Sequence, residues 1–326
     1  MRGALLLGDI GGTKTLLRLA SSDGAELRSA RFDSHGATLP EIITRFVGSD
    51  SKPSVAVLGV AGPVFDGKCT TTNLPWQLDE RELERTCGIP RVKLLNDFEA
   101  TAAGVRHVRA EHLVELQAGT KVVNAPIGVI GAGTGLGVAL LVWTGSSYVV
   151  VPTEGGHGDF APRTDVEVAV MRHLRTLHGR VSVERVVSGL GIAAVYQALC
   201  AAGAIESEAV AAEMREHDPS AVIGAHALAG DDPLSVQTID VFVSAYGSEA
   251  GNLALRTLAR GGIYITGGIA PKLLQKLSSG AFMAAFRSKG RLSELAAQIP
   301  VHVVLDPEVP LVGALQVARE IVSRQS

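Results

Sequence analysis

Cysteine is scarce in this chain of 326 residues, with only Cys69, Cys87 and Cys200, which are far apart and never form a Cys-x-x-Cys pair. Neither a disulfide framework nor a cysteine-based zinc site is supported, and the sequence predicts a protein of the reducing cytoplasm. The nine histidines lack His-Glu-x-x-His or other metal-ligand spacing. His107 and His112 are therefore interpreted as solvated helix residues.

The chain also lacks an excess of basic residues. Its formal net charge is -3, its sequence pI is about 6.3, and no run of like charges forms a tail. Nucleic acid is therefore excluded as the expected partner, and small molecules are favoured.

No hydrophobic run has the character of a membrane helix, although 46% of the residues are hydrophobic. The longest uncharged stretch lies between Lys121 and Glu154, and Pro126 with five glycines from Gly128 to Gly137 interrupts it. That composition favours two strands and a turn. The apolar stretch Ala4 to Leu7 is too short for a secretory signal, so we expect neither export nor membrane insertion.

Three stretches instead share an apolar strand that ends in a glycine-rich turn. Two of them predict β-hairpins, with turns at Gly11-Gly12-Thr13 and within Gly131–Gly137. In the third, a short strand ends at Gly267-Gly268, and Pro271 lies where a first helical turn begins. Clustered backbone N–H groups bind anions, so the two hairpins together indicate a nucleotide triphosphate, whereas either turn alone is more typical of an ordinary tight hairpin.

Acidic side chains end two predicted strands. Asp9 follows the first apolar run, where it either serves a Mg²⁺ ion that accompanies ATP or caps its own turn through Gly11 or Gly12. Asn96-Asp97 ends the strand Val92–Leu95 and precedes a helix from Phe98 to Ala103. Ligands bind at such strand ends, although an ordinary helix N-cap is the alternative.

A carboxylate and an imidazole lie three residues apart in Glu154-Gly-Gly-His157, after an apolar strand. Such a pair can hold vicinal hydroxyl groups. Glu184 interrupts a later apolar stretch and is either a third acceptor or part of a surface ion pair.

Two glycine patterns are decoys. Gly62 to Cys69 matches Gly-x-x-x-x-Gly-Lys, but Cys69 stands where Ser or Thr must bind Mg²⁺. Gly131 to Gly137 has Leu136 where a dinucleotide fingerprint needs glycine.

The length predicts two lobes with a ligand site in the cleft between them. Helices and strands alternate, which indicates an α/β fold, and residues 206–233 are interpreted as a helical excursion on the surface. Helices are predicted over Val166–His178, Ile192–Ala202, Ile239–Ala259 and Pro310–Val322.

Six motifs together resemble the bacterial glucokinase family, nearly end to end and in the family's order. They are Gly8-Asp-Ile-Gly-Gly-Thr-Lys14, Leu95-Asn-Asp-Phe-Glu99, Gly131-Ala-Gly-Thr-Gly-Leu-Gly137, Glu154-Gly-Gly-His-Gly-Asp-Phe-Ala-Pro162, Glu184-Arg-Val-Val-Ser-Gly189 and Thr266-Gly-Gly-Ile269. The zinc-bearing branch of these sugar kinases is excluded, because this chain lacks the cysteine-rich loop after its histidine.

The resemblance implies a two-lobed, actin-like ATPase fold of the hexokinase and ribonuclease H type. Its small lobe comprises residues 1–112 with 305–326, its large lobe residues 113–304, and its active site lies in the interlobe cleft. It also implies an enzyme that phosphorylates D-glucose to glucose 6-phosphate with ATP and Mg²⁺, often as a homodimer in the cytoplasm.

The resemblance further implies a role for each matching residue. Asp97 is the expected catalytic base, which takes the proton from the acceptor hydroxyl. The expected sugar-binding residues are Asn96, Asp97, Glu154, His157 and Glu184. The expected ATP-binding residues are Gly8, Asp9, Ile10, Gly11, Gly12, Thr13, Gly133, Thr134, Gly135, Gly267 and Gly268, with Asp9 as the link to the metal.

Three other functions compete with this interpretation. A kinase of mannose, fructose or an N-acetylated amino sugar would have the same fold. A sugar-sensing regulator needs a DNA-binding segment before Asp9, for which the eight preceding residues leave no room. An actin-like or chaperone-like ATPase with a protein partner would not require glucose.

Overall fold

Apolar strands that end at glycine turns recur along the chain in the computed structural model, which describes residues 3–48, 53–71 and 74–324. The strands are β1 (Leu5–Ile10), β2 (Lys14–Ala20), β3 (Glu26–Asp33), β4 (Val55–Val60), β5 (Val64–Phe65), β6 (Lys68–Thr70), β7 (Gln77–Asp79), β8 (Val92–Asn96), β9 (Leu113–Gln117), β10 (Ile127–Ala132), β11 (Leu136–Trp143), β12 (Tyr148–Thr153), β13 (Gly262–Thr266) and β14 (Val301–Val304).

The α-helices are α1 (Leu39–Val47), α2 (Glu80–Cys87), α3 (Asp97–Gly104), α4 (Asp165–His178), α5 (Gly189–Ala201), α6 (Glu208–Glu216), α7 (Pro219–Ala229), α8 (Pro233–Thr257), α9 (Ile269–Lys272), α10 (Leu274–Leu277), α11 (Ala281–Arg287), α12 (Ser293–Ala297) and α13 (Val309–Ser323). In the part of the chain that the structure describes, no helix is both long and apolar enough to span a membrane. His107 and His112 each end a short 3₁₀ helix.

The chain divides into two units, Met1–Arg109 with Asp306–Ser326, and Ala110–Leu305. The first unit contains a five-stranded sheet in the order β3-β2-β1-β4-β8. Strand β1 pairs antiparallel with β2 and parallel with β4, and it is buried on both faces. Leu6 faces a core shared with α1 and α2, whereas Leu5 faces a core shared with α3 and α13. A nearly continuous apolar sequence is what such a doubly covered strand requires.

Helix α13 returns the end of the chain to the first unit and packs against α3. Two glycines permit this close contact. A Cβ atom at Gly313 would lie 1.8 Å from the carbonyl oxygen of Ala100, and one at Gly104 would lie 2.2 Å from that of Val309. The contact fixes α3, and therefore the position of Asp97 at its first turn.

The second unit contains a six-stranded sheet in the order β12-β11-β10-β13-β14-β9. Strand β10 pairs antiparallel with β11 and parallel with β13. The carboxyl ends of β10 and β13 therefore lie at the same edge of the sheet. The long helix α8 covers this sheet, with Phe242 and Tyr246 fully buried in the core.

The four predicted helices are confirmed as α4, α5, α8 and α13. Helix α8 begins six residues before the predicted start, because Asp232 caps it and Pro233 occupies its first turn. The surface interpretation of residues 206–233 is wrong for α7. Its Val222 and Ile223 are buried in the core of the second unit, because α7 packs against α8.

Candidate active site

The first glycine turn, Gly11-Gly12-Thr13, joins β1 to β2, so the predicted hairpin is confirmed. The Gly11 N–H donates to the Lys14 carbonyl at 3.0 Å, so it does not serve as a cap for Asp9. Ser34 supports the turn from below: its Oγ donates to the Gly11 carbonyl at 2.9 Å and shares a 3.0 Å hydrogen bond with Thr15 Oγ1. Sequence reasoning missed Ser34, because its polar neighbourhood after β3 carries no motif.

Asp9 lies in β1, beside Gly59 of β4, and is partly buried. Burial, together with a smaller contribution from the nearby Asp97 carboxylate, raises the pKa of its carboxyl to about 6 against the opposing effect of Arg31. The carboxylates of Asp9 and Asp97 therefore repel each other within the first unit.

Asn96 and Asp97 lie where β8 passes directly into α3. The capping alternative is correct for Asn96, whose Oδ1 accepts from the N–H groups of Phe98 and Glu99 at 3.0 and 3.4 Å. Its Nδ2 donates to the Gly62 carbonyl at 3.0 Å. Asp97 is the first helical residue, and its Oδ1 accepts from the Phe98 N–H at 2.7 Å.

The donor set of the first unit fits a Mg²⁺ ion that keeps water and phosphate as most of its ligands. Mg²⁺ in nucleotide sites is held by one or two carboxylates, and Asp9 would provide one. Within the described ranges, no cluster of three or more His, Cys, Asp or Glu side chains has the geometry of a metal cage.

The second glycine turn, Gly133-Thr134-Gly135, joins β10 to β11, and its hairpin is also confirmed. Glu184 lies beside it, because its Oε2 accepts from the Leu136 N–H at 2.9 Å. The surface alternative for Glu184 is therefore wrong: the side chain is partly buried and contacts the hairpin.

Glu154, His157 and Glu184 form a single row of polar side chains. His157 Nε2 lies 3.8 Å from Glu154 Oε2, and His157 Nδ1 lies 3.7 Å from Glu184 Oε1. Glu154 and His157 are exposed and Glu184 is partly buried. An imidazole between two carboxylates offers donors and acceptors at the spacing of neighbouring hydroxyl groups.

Arg180 holds the loop that carries His157. Its Nε donates to Asp159 Oδ1 at 2.6 Å, and its guanidinium also donates to the His157 carbonyl at 2.5 Å. The loop is further fixed by the Val183 N–H, which donates to the Gly158 carbonyl at 2.9 Å. Sequence reasoning missed Arg180, since it stands 23 positions from His157 with no pattern to link them.

The turn Gly267-Gly268 packs against the second hairpin. Gly267 has φ +86°, and a Cβ atom there would lie 2.3 Å from the Ala132 carbonyl oxygen, so only glycine fits. The Tyr246 hydroxyl lies below both turns, 3.2 Å from the Ala132 nitrogen and 3.4 Å from the Thr266 oxygen. The second unit thus brings together the predicted nucleotide residues 133–135 and 267–268.

Both decoys lie in hairpins. Gly62 to Lys68 runs through β5 into β6, and no helix follows, so a Walker A loop is excluded. Gly131 to Gly137 belongs to the hairpin of β10 and β11, not to a strand-helix-strand unit.

The two units have the actin-like ATPase fold of the sugar kinases. A glucokinase from an Antarctic psychrotroph aligns with a TM-score of 0.86 and 32% identity, over 98% of this chain and 100% of that one. A ROK family glucokinase from Streptomyces griseus, in complex with glucose and AMPPNP, has the same fold at a TM-score of 0.65 and 20% identity, over 98% and 100% of the chains.

Within that class, the chain belongs to the glucokinase family. The glucokinase family model matches residues 6–321. A glucokinase of Nostoc punctiforme is 44% identical over 331 residues, which cover 95% of this chain and 97% of that relative. The family predicted from the sequence motifs is therefore confirmed.

Proposed function

We propose that this protein is an ATP-dependent glucokinase that transfers the γ-phosphoryl group of ATP to the 6-hydroxyl of D-glucose. The observation that carries the proposal is the row Glu154, His157 and Glu184, which adjoins a glycine hairpin in the same unit. A hydroxyl-binding row beside an anion-binding turn suits a kinase of a small polyol. Membership of the glucokinase family points to glucose.

Asp97 is the proposed catalytic base. A sugar hydroxyl does not ionise by itself at neutral pH, whereas a carboxylate can accept its proton as the new P–O bond forms. The first turn of α3 presents Asp97, and the capping bonds of Asn96 fix that turn. Asn96 contributes to sugar binding through this support and through its own amide.

In the second unit, Glu154, His157 and Glu184 bind the remaining sugar hydroxyls. Glu154 and Glu184 act as acceptors, and His157 between them acts as a donor or an acceptor according to its tautomer. Arg180 keeps His157 in place through the loop backbone. These contacts orient the 6-hydroxyl, and such orientation is a large part of phosphoryl-transfer catalysis.

We assign the ATP phosphates to the two glycine hairpins, in which the Gly11 and Gly133 N–H groups close the turns by donating to the Lys14 and Gly135 carbonyls. Residues Gly8 to Thr13 serve in the first unit and Gly133 to Gly135 in the second, while Gly267 and Gly268 face the adenosine. The AMPPNP complex of the Streptomyces griseus protein supports the choice of ATP. We assign Mg²⁺ to Asp9, with Asp97 nearby; when bound, the ion neutralises phosphate charge.

We also propose that the two units act as the small and large lobes of the kinase, that the protein works in the cytoplasm, and that it forms a homodimer. Size-exclusion chromatography with light scattering tests the dimer, and a mass of one chain at micromolar concentration would contradict it.

A panel of sugars tests the substrate assignment. We expect kcat/KM for D-glucose to exceed that for mannose, fructose and N-acetylglucosamine by at least about tenfold, because each differs from glucose in the hydroxyl groups that the row Glu154, His157 and Glu184 is proposed to bind. ATP consumption is measured with each sugar under identical conditions. A preference for another hexose would reassign the substrate, and sugar-independent ATP turnover would favour an ATPase with a protein partner.

A further inference from the structure

The Glu184 carboxylate faces two parts of the second unit. Its Oε1 lies 3.7 Å from His157 Nδ1, whereas its Oε2 accepts from the Leu136 N–H at 2.9 Å. Leu136 is the first residue of β11 after the turn Gly133–Gly135. A single side chain therefore contacts both the polar row and the foot of the glycine hairpin.

The hairpin packs tightly against this carboxylate. A Cβ atom at Gly135 would lie 2.6 Å from Glu184 Oε2, whereas one at Gly133 would meet no atom within 4 Å. The other end of the turn is held by backbone alone, because the Gly189 N–H of α5 donates to the Gly133 carbonyl at 2.8 Å. Of these supports, the Glu184 side chain is the one that a bound sugar can influence.

The backbone of Glu184 is itself well fixed. It lies in the 3₁₀ helix Val183–Arg185, and its carbonyl accepts from Ser188 Oγ at 2.7 Å. Ser188 Oγ in turn accepts from the Gly191 N–H at 2.9 Å and so caps α5. With the backbone held, the orientation of the carboxylate decides whether the Leu136 contact is made.

We propose that Glu184 couples sugar binding to the conformation of the nucleotide-binding hairpin, an inference that rests on the proposed kinase function. A sugar hydroxyl that donates to Oε1 restricts the carboxylate to the orientation in which Oε2 holds the Leu136 N–H. Sugar thereby increases the share of molecules whose hairpin is ordered for phosphate binding. By linkage, nucleotide raises the affinity for sugar by the same factor.

Such coupling has a clear chemical benefit. A kinase that holds ATP in its reactive geometry before the sugar arrives also exposes it to attack by water. Glu154 cannot provide this coupling, because its described contact is with His157 alone, at 3.8 Å. Substitution of Glu154 is therefore the matched control, because it removes a carboxylate from the polar row without removing a contact with the hairpin.

Two pairs of variants of the full chain test the coupling by calorimetric titration, with glucose and Mg²⁺-AMPPNP as the ligands. The first pair is Glu184→Ala and Glu154→Ala. For the wild-type protein, we expect saturating glucose to raise AMPPNP affinity at least about fivefold. In Glu184→Ala, the AMPPNP affinities measured with and without glucose should differ by less than about twofold. In Glu154→Ala, the fivefold increase should persist once glucose is saturating. Glu184→Gln should keep part of the glucose effect on AMPPNP affinity, because its amide oxygen can still accept a hydrogen bond from the Leu136 N–H.

The second pair, Gly135→Ala and Gly133→Ala, keeps the carboxylate and changes only the hairpin. The methyl group of Gly135→Ala displaces Glu184 Oε2. Glucose affinity without nucleotide should therefore fall about threefold or more, although the substituted residue lies outside the polar row. Gly133→Ala places its methyl group in open space, and its glucose affinity should equal that of the wild type.

The outcomes separate this inference from the proposed function. A wild-type protein that binds neither glucose nor AMPPNP would contradict the function itself. A wild-type protein that binds both, with the glucose effect intact in Glu184→Ala or with unchanged glucose affinity in Gly135→Ala, would overturn the coupling alone.

Discussion

At the scale of single residues, the folded state destabilises the ionised carboxylate of Asp9. Its folded pKa of about 6 lies above the ordinary aspartate value of 3.8, chiefly because burial penalises the charge. An acid with a raised pKa costs no stability below its unfolded pKa. The cost grows between the two values and is complete above pH 6. A carboxyl group whose pKa burial and a neighbouring charge both raise is typical of a functional site.

The variant Asp9→Asn should therefore be more stable than the wild type at pH 8, by up to about 2–3 kcal/mol from a shift of about two pKa units. The gain should fall below about 1 kcal/mol near pH 4, where Asp9 is largely protonated in the folded state and partly protonated in the unfolded state. Kinase activity should be lost at every pH. Chemical denaturation at the two pH values provides the measurement, with Glu216→Gln, an exposed substitution, as the control. An equal gain at pH 4 and pH 8 would contradict the assigned cause.

Single residues also show where sequence reasoning stopped. The positions of Asp9 and Asp97 at the ends of apolar strands were visible in the local sequence, whereas their proposed roles came from the resemblance to glucokinases. Ser34 and Arg180 had no such signal, because each acts on a residue more than twenty positions away, Gly11 and His157 respectively. Contacts of that kind arise from folding and are absent from any local pattern.

At the scale of elements, the two glycine hairpins and the helix α4 were predictable because each has its own boundary signals. Thr164 caps α4, and Gly179 ends it. Helix α7 was misjudged because its alanine-rich sequence has little periodicity, and its packing against α5 and α8 buries Val222 and Ile223. Tertiary packing, which one sequence does not reveal, decided that element.

Tyr246 joins elements at the candidate nucleotide site. Its hydroxyl accepts from the Ala132 N–H at 3.2 Å, and its single proton is shared between the carbonyls of Ile130 at 3.2 Å and Thr266 at 3.4 Å. It therefore ties the end of β10, before the second hairpin, to the end of β13, before Gly267.

The variant Tyr246→Phe should raise KM for ATP about threefold to tenfold and lower the free energy of unfolding by about 1–2 kcal/mol. Glucose affinity measured without nucleotide should stay within about twofold of the wild type, since Tyr246 does not contact the polar row. Tyr196→Phe is the matched control: its buried hydroxyl has no hydrogen-bond partner among the described residues, so its removal should not lower stability. Equal effects of the two variants on KM for ATP would contradict a specific role for Tyr246.

At the scale of the whole molecule, the family and fold were predictable because six short motifs occur in a fixed order along most of the chain. The return of α13 to the first unit was inferred through that resemblance alone, and its physical basis lies in the contact of Gly104 and Gly313 with neighbouring backbone. The sequence indicated Glu154, His157 and Glu184 individually as sugar-binding candidates, without showing that they lie side by side. Its link to the hairpin through Leu136 required the structure, since 48 positions separate the two residues.

The central claim, glucose phosphorylation with Asp97 as the base, is tested most directly by glucose 6-phosphate formed per ATP consumed, in the wild type and in Asp97→Ala. Glucose binding is measured in parallel by calorimetry. We expect one product per ATP in the wild type, and in Asp97→Ala a kcat below about a hundredth of the wild-type value with glucose binding largely intact. A kcat above that level in a variant that binds glucose normally would contradict the account.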